Sequence, residues 1–408
     1  MSALLPDVNT RCAIAGGGPA GMVLGLLLAR AGIRVTVLEK HADFLRDFRG
    51  DTVHPSTLEV MHELGLLEAF LKRPHQELRE LRGEIAGQGV RLADFSRLPT
   101  QARFIVLMPQ WDFLDFIAAE AHRYPLFELR LESEVVGILR EGGRVTGLEI
   151  KTAQGAQRVR SDLTIGADGR GSLVRQQAGL RVQDLGAPMD VLWMKLPRRT
   201  TDDAQTAGYV QRGRVLVLLD RGDYWQCAFV IPKGQFESLA QEPITALHRW
   251  LESVAPFLRD RTAEIASWQD VRLLTVRVDR LEKWYQPGLL CIGDAAHAMS
   301  PVGGVGINLA IQDAVAAANL LLPALRRGVP TERDLARVQR RRELPTRLTQ
   351  AVQLRIQNGF IAPGLAGGVS RVPWLVKLID SSPSLRGVVA RAIGLGARPE
   401  HVSAPLQN

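Results

Sequence analysis

Residues 11–40 read RCAIAGGGPAGMVLGLLLARAGIRVTVLEK, in which apolar segments flank one glycine-rich turn. The apolar run at 12–15 predicts a buried parallel strand, and the segment at 22–31 has the length of a helix. A second apolar run at 34–38 predicts another strand. The pattern therefore predicts a β-α-β unit, which indicates an α/β fold built on a parallel sheet.

The turn carries its glycines at Gly16, Gly18 and Gly21, in the spacing G-x-G-x-x-G. Gly16 allows the tight turn out of the strand, and Gly18 lets backbone N–H groups approach a pyrophosphate. Gly21 lets the helix pack closely against the sheet. Pro19 and Ala20 lie at the amino end of the predicted helix, where the partial positive charge favours phosphate.

An acidic residue, Glu39, follows the second strand. It lies roughly 20 residues after the glycines, where the dinucleotide fingerprint has an acid. Its carboxylate can accept hydrogen bonds from ribose hydroxyls and would repel a 2′-phosphate. Glu39 therefore predicts a site for FAD or NAD rather than NADP, and Lys40 beside it is assigned to the same cofactor site.

The chain has 408 residues, of which 46% are hydrophobic and 23% are charged, as in globular proteins that bury a core. This length allows two domains, or one large domain with an insertion. The formal net charge is +8, but the basic residues are scattered among acidic ones without a dense tract. The composition therefore does not indicate a nucleic-acid partner.

Each of the three cysteines, Cys12, Cys227 and Cys291, lies in an apolar, strand-like run, and no C-x-x-C pair occurs. Buried free thiols in a reducing cytosol are the simplest interpretation. We expect no signal peptide at 1–10, and no apolar run has the length that spans a bilayer. These patterns predict a cytoplasmic protein, and the His, Cys and carboxylate spacings do not indicate a metal site.

Three motifs follow one another: GGGPAG at 16–21, GADGRGSLVR at 166–175 and GDAAHAMSPVGGVGIN at 293–308. In this order and spacing they resemble the group A flavoprotein monooxygenases, the family of para-hydroxybenzoate hydroxylase and the ubiquinone-biosynthesis hydroxylases. The resemblance extends over 11–322. It implies that FAD is the bound cofactor, so that the opening fingerprint holds the adenosine end of FAD. NADPH or NADH is then a transient co-substrate with no fingerprint of its own.

The same resemblance implies a domain organisation. The expected fold is a Rossmann-like FAD-binding domain with an inserted antiparallel-sheet substrate domain and a C-terminal helical segment. The first part of the FAD-binding domain covers 1–180 and includes an inserted hairpin near 78–108. The substrate-binding sheet domain, the second part of the FAD-binding domain and the C-terminal helices cover 181–278, 279–330 and 331–408.

Individual residues acquire roles through the resemblance. Asp168, with Arg175, is expected to tie the FAD domain together near the path of the pyridine nucleotide. Gly293 and Asp294 are expected at the ribityl chain of the flavin. Further FAD contacts are assigned to Arg49, Gln110 and Val135. The segment 303–308 is expected to present backbone N–H groups to the edge of the isoalloxazine ring, and its assigned members are Gly304, Gly306, Ile307 and Asn308.

The implied reaction is the hydroxylation of an aromatic or similarly electron-rich small molecule. NAD(P)H reduces FAD, O₂ then gives a flavin C4a-hydroperoxide, and its distal oxygen passes to the substrate. We assign no catalytic acid or base, and we expect the loop of Pro301, Gly303 and Gly304 to line the oxygen-transfer pocket. His297 is predicted to hold this loop rather than to catalyse. Four aromatic residues are candidates for substrate contacts, with core packing as the alternative for each: Trp193, Tyr209, Tyr224 and Trp225.

Several alternatives stay open at this stage. A reductase or dehydrogenase on the same fold would not insert oxygen, and a non-catalytic flavin sensor would not turn over. The basic helix at 331–358 and the apolar tail near Trp374 suggest contact with a membrane, although a tail packed on the body is favoured. The substrate, its regiochemistry, the choice between NADH and NADPH, and the choice between monomer and homodimer are not determined.

Overall fold

The fold is described from a computed structural model that covers residues 5–45, 52–202, 207–211, 213–367 and 370–403. Arg49, predicted as an FAD ligand, lies outside the described residues.

The described residues form twenty strands. In chain order they are β1 Val8–Ala15, β2 Val35–Leu38, β3 Thr52–Val53, β4 Gln76–Leu78, β5 Glu80–Ile85, β6 Gln88–Asp94, β7 Ile105–Leu107, β8 Phe127–Arg130, β9 Glu134–Glu141, β10 Arg144–Thr152, β11 Gly155–Gly166, β12 Val182–Asp184, β13 Met189–Pro197, β14 Ala207–Gln211, β15 Arg214–Asp220, β16 Tyr224–Pro232, β17 Arg272–Leu274, β18 Asp279–Leu281, β19 Tyr285–Gln286 and β20 Leu289–Cys291.

Twelve α-helices accompany these strands within the described part of the chain. They are α1 Pro19–Arg30, α2 Pro55–Glu63, α3 Leu67–Leu71, α4 Gln110–Ala121, α5 Leu173–Gln177, α6 Phe236–Leu239, α7 Thr245–Val254, α8 Gly306–Arg327, α9 Glu332–Ile356, α10 Ala362–Leu365, α11 Trp374–Ser381 and α12 Pro383–Gly394.

The first sheet has the strand order β19-β20-β11-β1-β2-β8, and its neighbours from β20 to β8 run parallel. An antiparallel hairpin, β9 with β10, extends from β11. Its turn is Gly142-Gly143, with φ of +54° and +78°, as the glycine pair predicts. Helices α1 and α8 pack against each other beside this sheet. The expected Rossmann-like domain is therefore present, and its parallel strands end at one common edge.

The second sheet has the order β17-β13-β16-β15-β14-β5-β6 and is antiparallel except where β14 pairs with β5. The prediction placed the hairpin near 78–108 inside the first part of the FAD-binding domain. Its strands β5 and β6 instead extend this second sheet. Pairing with β14 satisfies the backbone groups that an edge strand would leave open. The inserted sheet is confirmed, whereas the domain limits near 180, 278 and 330 stay a prediction.

The two faces of the second sheet bury different clusters. Leu192, Leu216 and Phe229 pack on the outer face with α7. Val191, Val230 and their neighbours form the inner cluster, which also takes in Val302 and residues of the C-terminal segment such as Phe360 and Leu365. The inner face is therefore the one turned toward the third motif.

The C-terminal helices are present, but one part of them is not packed as the sequence suggested. Val372 is buried and Val376 packs against the inner cluster. Trp374 and Leu375 are 75% and 52% exposed. Among the described residues, one helix is long and apolar enough to cross a bilayer, at 302–327, and 72% of its apolar window is buried inside the protein.

A buried ion pair closes the second sheet at one end. Asp202 Oδ2 lies 2.6 Å from Arg261 Nη1 and accepts a hydrogen bond of 2.9 Å from Trp225 Nε1. Both charged side chains are about 5% exposed. Burial alone would raise the pKa of Asp202, but the hydrogen bonds of Arg261, the Arg199 backbone and Trp225 outweigh it and lower that pKa to about 2.

We expect Asp202→Asn to destabilise the protein by about 3 kcal/mol at pH 7, because the buried charge of Arg261 then keeps only the half-exposed carboxylate of Asp260 as a partner. The folded pKa is lowered, so the stabilising effect of Asp202 is complete above pH ~4 and is lost as the pH falls toward about 2. Urea unfolding at pH 7 and pH 3 measures both effects.

The matched control is Asp260→Asn, which removes the half-exposed carboxylate on the same arginine. We expect a much smaller loss of stability there than in Asp202→Asn, as for exposed ion pairs. Equal losses in the two variants at pH 7 would contradict the interpretation.

Candidate active site

Four loops leave the parallel strands at the same edge of the first sheet. Backbone hydrogen bonds continue across this edge, from Gly16 N to Leu38 O at 2.8 Å, from Ala167 N to Ala15 O at 2.8 Å and from Ile292 N to Gly166 O at 2.9 Å. The three sequence motifs and Glu39 are therefore brought together, although up to 290 positions separate them in the chain. Ligands of open α/β sheets bind at such an edge.

The three glycines of the first motif differ in what surrounds them. Gly16 has φ +104°, and a Cβ there would lie 2.3 Å from Ala167 O. A Cβ on Gly21 would lie 2.0 Å from Gly16 O. Both positions thus require glycine for packing. A Cβ on Gly18 would meet no atom within 4 Å, so this residue, just before Pro19 and Ala20 in α1, borders open space.

Glu39 links the end of β2 to the glycine turn. Its Oε2 accepts a hydrogen bond of 3.1 Å from Gly17 N, and its Oε1 accepts one of 3.1 Å from His41 N. Lys40 follows on the exposed side. Ser133 N donates to Glu39 O at 2.9 Å, which brings the start of β9, and with it Val135, to the same corner. The carboxylate of Glu39 therefore lies against the glycine turn at this corner.

The second motif is held by Arg175 more than by Asp168. Arg175 forms a bidentate pair with Asp279 in β18, with both N–O distances 3.2 Å, and donates to Arg170 O at 2.6 Å. Asp168 Oδ2 accepts a hydrogen bond of 3.1 Å from Val174 N, and burial raises the pKa of Asp168. The tie within the domain that the resemblance assigned to Asp168 thus runs through the arginine.

An ion pair that the sequence analysis missed joins the second motif to the third. Arg170 Nε lies 3.1 Å from Asp294 Oδ2, and each side chain is about 30% exposed. A second nitrogen of the same guanidinium group, Nη1, is buried and has no hydrogen-bond partner among the described residues. The position of Arg170 in GADGRG is the only signal in the sequence. A polar group bound beside Asp294 would find a donor already in place.

The second half of the third motif is a loop that presents glycines beside the start of α8. Gly303 and Gly304 have φ of +79° and +63°, and Gly304 O accepts a hydrogen bond of 3.0 Å from Thr52 Oγ1. Asn308 Oδ1 accepts from His54 N and Thr57 Oγ1, both at 2.8 Å. Gly306 begins α8 and Ile307 is nearly buried. The side chain of Asn308 thus fixes this loop to the start of α2.

Two remaining assignments lie beside these loops. Gln110 is the first residue of α4, which packs against α1. The strand that precedes α4, β7, pairs with β3, and β3 carries Thr52. Pro301 and Val302 lead from the third motif to the inner cluster of the second sheet. The junction of this loop with the inner sheet face is where we place the candidate substrate pocket.

The four aromatic candidates do not share that pocket. Trp193 belongs to the inner cluster with Val302. Trp225 is 1% exposed in the outer cluster, and Tyr209 packs against the same outer cluster. Tyr224 lies at the start of β16, where Lys195 covers its ring at 5.1 Å. Neighbouring residues of a strand face opposite sides, so Tyr224 and Trp225 could not both point inward.

His297 lies in a buried polar network behind the site. Its Nε2 is 2.5 Å from Asp313 Oδ2, and the same oxygen accepts a hydrogen bond of 3.0 Å from Gly293 N. Arg342 Nε donates to Asp313 Oδ1 at 3.0 Å and Arg342 Nη1 lies 3.2 Å from Glu400 Oε1. The geometry agrees with a role in holding the third motif.

The three cysteines and the residue types that bind metals are also possible members of the site. Cys12, Cys227 and Cys291 are free and buried, and burial raises the pKa of each. Within the described ranges, no group of three or more His, Cys, Asp or Glu residues could hold a metal ion.

The arrangement fits FAD on the evidence of its own residues. The turn at Gly18 borders open space beside a helix N-terminus, which suits a pyrophosphate. Arg170 supplies an unpaired donor next to Asp294, at the place expected for a polar linker. Gly303 and Gly304 let the backbone approach a flat ring.

Comparisons with known proteins agree with this geometry. The family model described as FAD binding domain matches residues 9–352. The chain is 33% identical to 6-methylpretetramide 4-monooxygenase of Streptomyces rimosus over 94% of this chain and 92% of that protein. It is 28% identical to rifampicin monooxygenase of Streptomyces venezuelae over 74% of this chain, which spans 61% of that protein.

A solved structure supports the fold. PqsL of Pseudomonas aeruginosa superposes with a TM-score of 0.75 at 23% identity, over 89% of this chain and 100% of that one. With the family match over most of its length, the chain belongs to the FAD binding domain family and is a group A FAD-dependent monooxygenase.

Proposed function

We propose that this FAD-dependent monooxygenase hydroxylates an aromatic small molecule held between the loop at 301–305 and the inner face of the second sheet. The observation that carries the proposal is the convergence of four loops at one sheet edge, next to an apolar cluster that contains Trp193, Val302 and Phe360. An apolar wall beside a redox cofactor suits an aromatic ring.

We infer a placement for each part of FAD. The adenosine ribose lies at Glu39 near Val135, and the pyrophosphate lies at Gly18 and the start of α1. The ribityl chain lies at Asp294 and Arg170. The ring lies along 303–308, close to Gln110, and the amino end of α8 favours negative charge there. Bound FAD supplies hydride acceptance from NAD(P)H and oxygen transfer from O₂.

The protein itself contributes position and exclusion of water. The inner cluster removes water from one side of the pocket, and the residues of the C-terminal segment close it on another. An oriented substrate needs no strong acid or base from the chain for attack by its own electron-rich ring carbon. We therefore assign binding and orientation, rather than proton transfer, to the residues of the pocket.

We propose a cytoplasmic enzyme, monomeric or homodimeric, that uses a small-molecule substrate and O₂ and does not bind nucleic acid. Membrane contact through the apolar helix at 302–327 is not favoured, since most of that helix is buried inside the protein. Contact through the tail, where Trp374 and Leu375 are exposed, stays the alternative.

Oxygen insertion is the decisive test of the reaction. We expect an aromatic substrate to accelerate NAD(P)H oxidation and ¹⁸O₂ to place one labelled atom in the product, measured by mass spectrometry. The first compounds to test are 6-methylpretetramide, named in the 33% identical relative, and simple phenols. Substrate-stimulated turnover of NAD(P)H without labelled product would support the rival reading as a reductase.

The pyrophosphate placement predicts a selective loss at Gly18. In Gly18→Val the added side chain enters open space, so we expect stability to stay within about 0.5 kcal/mol of the wild type. It would occupy the space of the pyrophosphate, so we expect the Kd of the apoprotein for FAD to rise roughly 100-fold, about 2.7 kcal/mol. Fluorescence titration with FAD and thermal unfolding measure the two quantities.

The contrast is Gly21→Val, where the new Cβ would lie 2.0 Å from Gly16 O and should lower Tm as well. Unchanged FAD affinity in Gly18→Val would contradict the placement.

The substrate placement predicts a difference between the two faces of the second sheet. We expect Trp193→Leu, on the inner face, to raise KM about tenfold while FAD affinity is unchanged, because an aromatic contact is lost. Tyr209→Leu, on the outer face, should leave KM as it was. Steady-state kinetics of both variants measure KM. Equal changes of KM in the two variants would contradict the proposal that the substrate lies against the inner face.

A further inference from the structure

Three glutamine side chains of α9 and its continuation point at the loop of the third motif. Gln350, Gln353 and Gln357 are 0%, 3% and 0% exposed. Steps of three and four residues place them on one face of the helix. No sequence motif marks them, and they lie outside the three motifs that identify the family.

Gln353 makes the densest set of contacts. Its Oε1 accepts a hydrogen bond of 3.2 Å from Ser300 N, and its Nε2 donates to Ser300 O at 2.9 Å. The same Nε2 donates to Val302 O at 2.9 Å. The side-chain amide thus pairs with the main chain of Ser300 as a neighbouring strand would.

The other two glutamines hold the loop on either side. Gln350 Nε2 donates to Ala298 O at 3.1 Å and to Asp279 O at 2.8 Å. Gln357 Nε2 donates to Ser300 Oγ at 2.8 Å, and that oxygen also accepts from Val302 N at 3.2 Å. The three side chains together follow the loop from 298 to 302; we name them the glutamine ladder.

The loop meets β18 at Ala298, whose O accepts a hydrogen bond of 3.3 Å from Asp279 N, but the buried main chain of Ser300 beyond it is paired by Gln353. Ala298, Met299 and Ser300 are at most 1% exposed, and they belong to neither a helix nor a strand. Buried backbone N–H and C=O groups must find hydrogen bonds. Apolar side chains in place of the glutamines would allow the loop to slide, since hydrophobic contact is not directional.

A π-helical turn at Gln357–Ile361 follows α9 directly. It brings Gln357 to Ser300, and it places Phe360 in the inner cluster with Val302. Such turns inside helices are frequent at functional sites. The end of α9 therefore supports the loop from behind and meets the pocket beside it.

We propose that Gln353, supported by Gln350 and Gln357, is a positioning residue for oxygen transfer. The ladder fixes Ser300 and Val302, and through them the turn of Pro301 to Gly304 that faces the flavin ring. The inference rests on the proposed placement of that ring along 303–308. The ladder sets the distance between ring and substrate wall, and a displacement of about 1 Å costs up to roughly 100-fold in rate.

A control glutamine stands on the same helix. Gln339 is 8% exposed; its Oε1 accepts from Trp284 N at 3.0 Å, and its Nε2 donates to Glu282 O at 2.9 Å. It therefore makes the same kind of buried amide-to-backbone pairing, but with the segment before β19 instead of the loop. Gln353→Leu and Gln339→Leu differ mainly in which segment loses its partner.

The experiment compares these two variants as purified holoenzymes, with FAD titration of their apoproteins. Both should lower Tm by similar amounts. Only Gln353→Leu is expected to weaken FAD binding, shift the visible absorption of bound flavin, and raise H₂O₂ formed per NAD(P)H oxidised. We also expect kcat to fall at least about tenfold in that variant, with a smaller change in KM. Gln357→Leu, which removes one hydrogen bond, should change the same readouts in the same direction but less.

Equal flavin spectra and equal FAD affinities in Gln353→Leu and Gln339→Leu would overturn the proposal and leave the ladder a structural feature. If Gln353→Leu does not fold, Gln357→Leu decides, because an unchanged flavin spectrum and unchanged H₂O₂ yield there would also overturn it. Failure of the proposed function is seen separately, as absence of labelled product in the wild type. The flavin spectra and affinities still test the ladder in that case.

Discussion

The rest of the site depends on the hydrogen bonds and ion pairs made by the buried carboxylate of Asp313. It lies in the middle of α8 and holds Gly293 N, His297 and Arg342 at once. Burial alone would raise the pKa of Asp313, but the charges and hydrogen bonds of His297 and Arg342 outweigh it and lower that pKa. A buried charge is tolerated only when such partners surround it. The third motif, α8 and α9 are thereby joined, and Glu400 adds the C-terminal tail through Arg342.

Helix α9 contacts both the third motif, through the pair of Arg342 with Asp313, and the loop at 298–302. Its first turns are joined to the third motif through Arg342 and Asp313, and its last turns carry the glutamine ladder. The π-helical turn then passes into the inner cluster of the second sheet. The segments proposed to hold the cofactor and the substrate are thus both held by α9 and the π-helical turn that follows it. Polar side chains suit this task because hydrogen bonds specify direction as well as distance.

The parts of the site that sequence analysis predicted are those whose function depends on neighbours in the chain. Gly16, Gly18 and Gly21 lie within one turn, and Glu39 follows at a spacing fixed by one helix and one strand. The parts it missed depend on contacts between distant segments, such as Arg170 with Asp294 and Gln353 with Ser300. Glutamines in a helix are common, and nothing in their spacing distinguishes a buried row from a solvated one. The hairpin β5–β6 was correctly predicted as a hairpin, but its partner β14 lies more than 100 residues away.

The sequence by itself determined the β-α-β unit, which local periodicity and spacing set, and the order of the three motifs, whose resemblance to the group A flavoprotein monooxygenases indicated the family. The tertiary structure decided which face of the second sheet meets the loop at 301–305, and so separated Trp193 from Tyr209 and Trp225. It also decided which side chains support that loop. The physical reason is that strand alternation gives two equivalent faces, and only packing against α7 on one side and the third motif on the other distinguishes them.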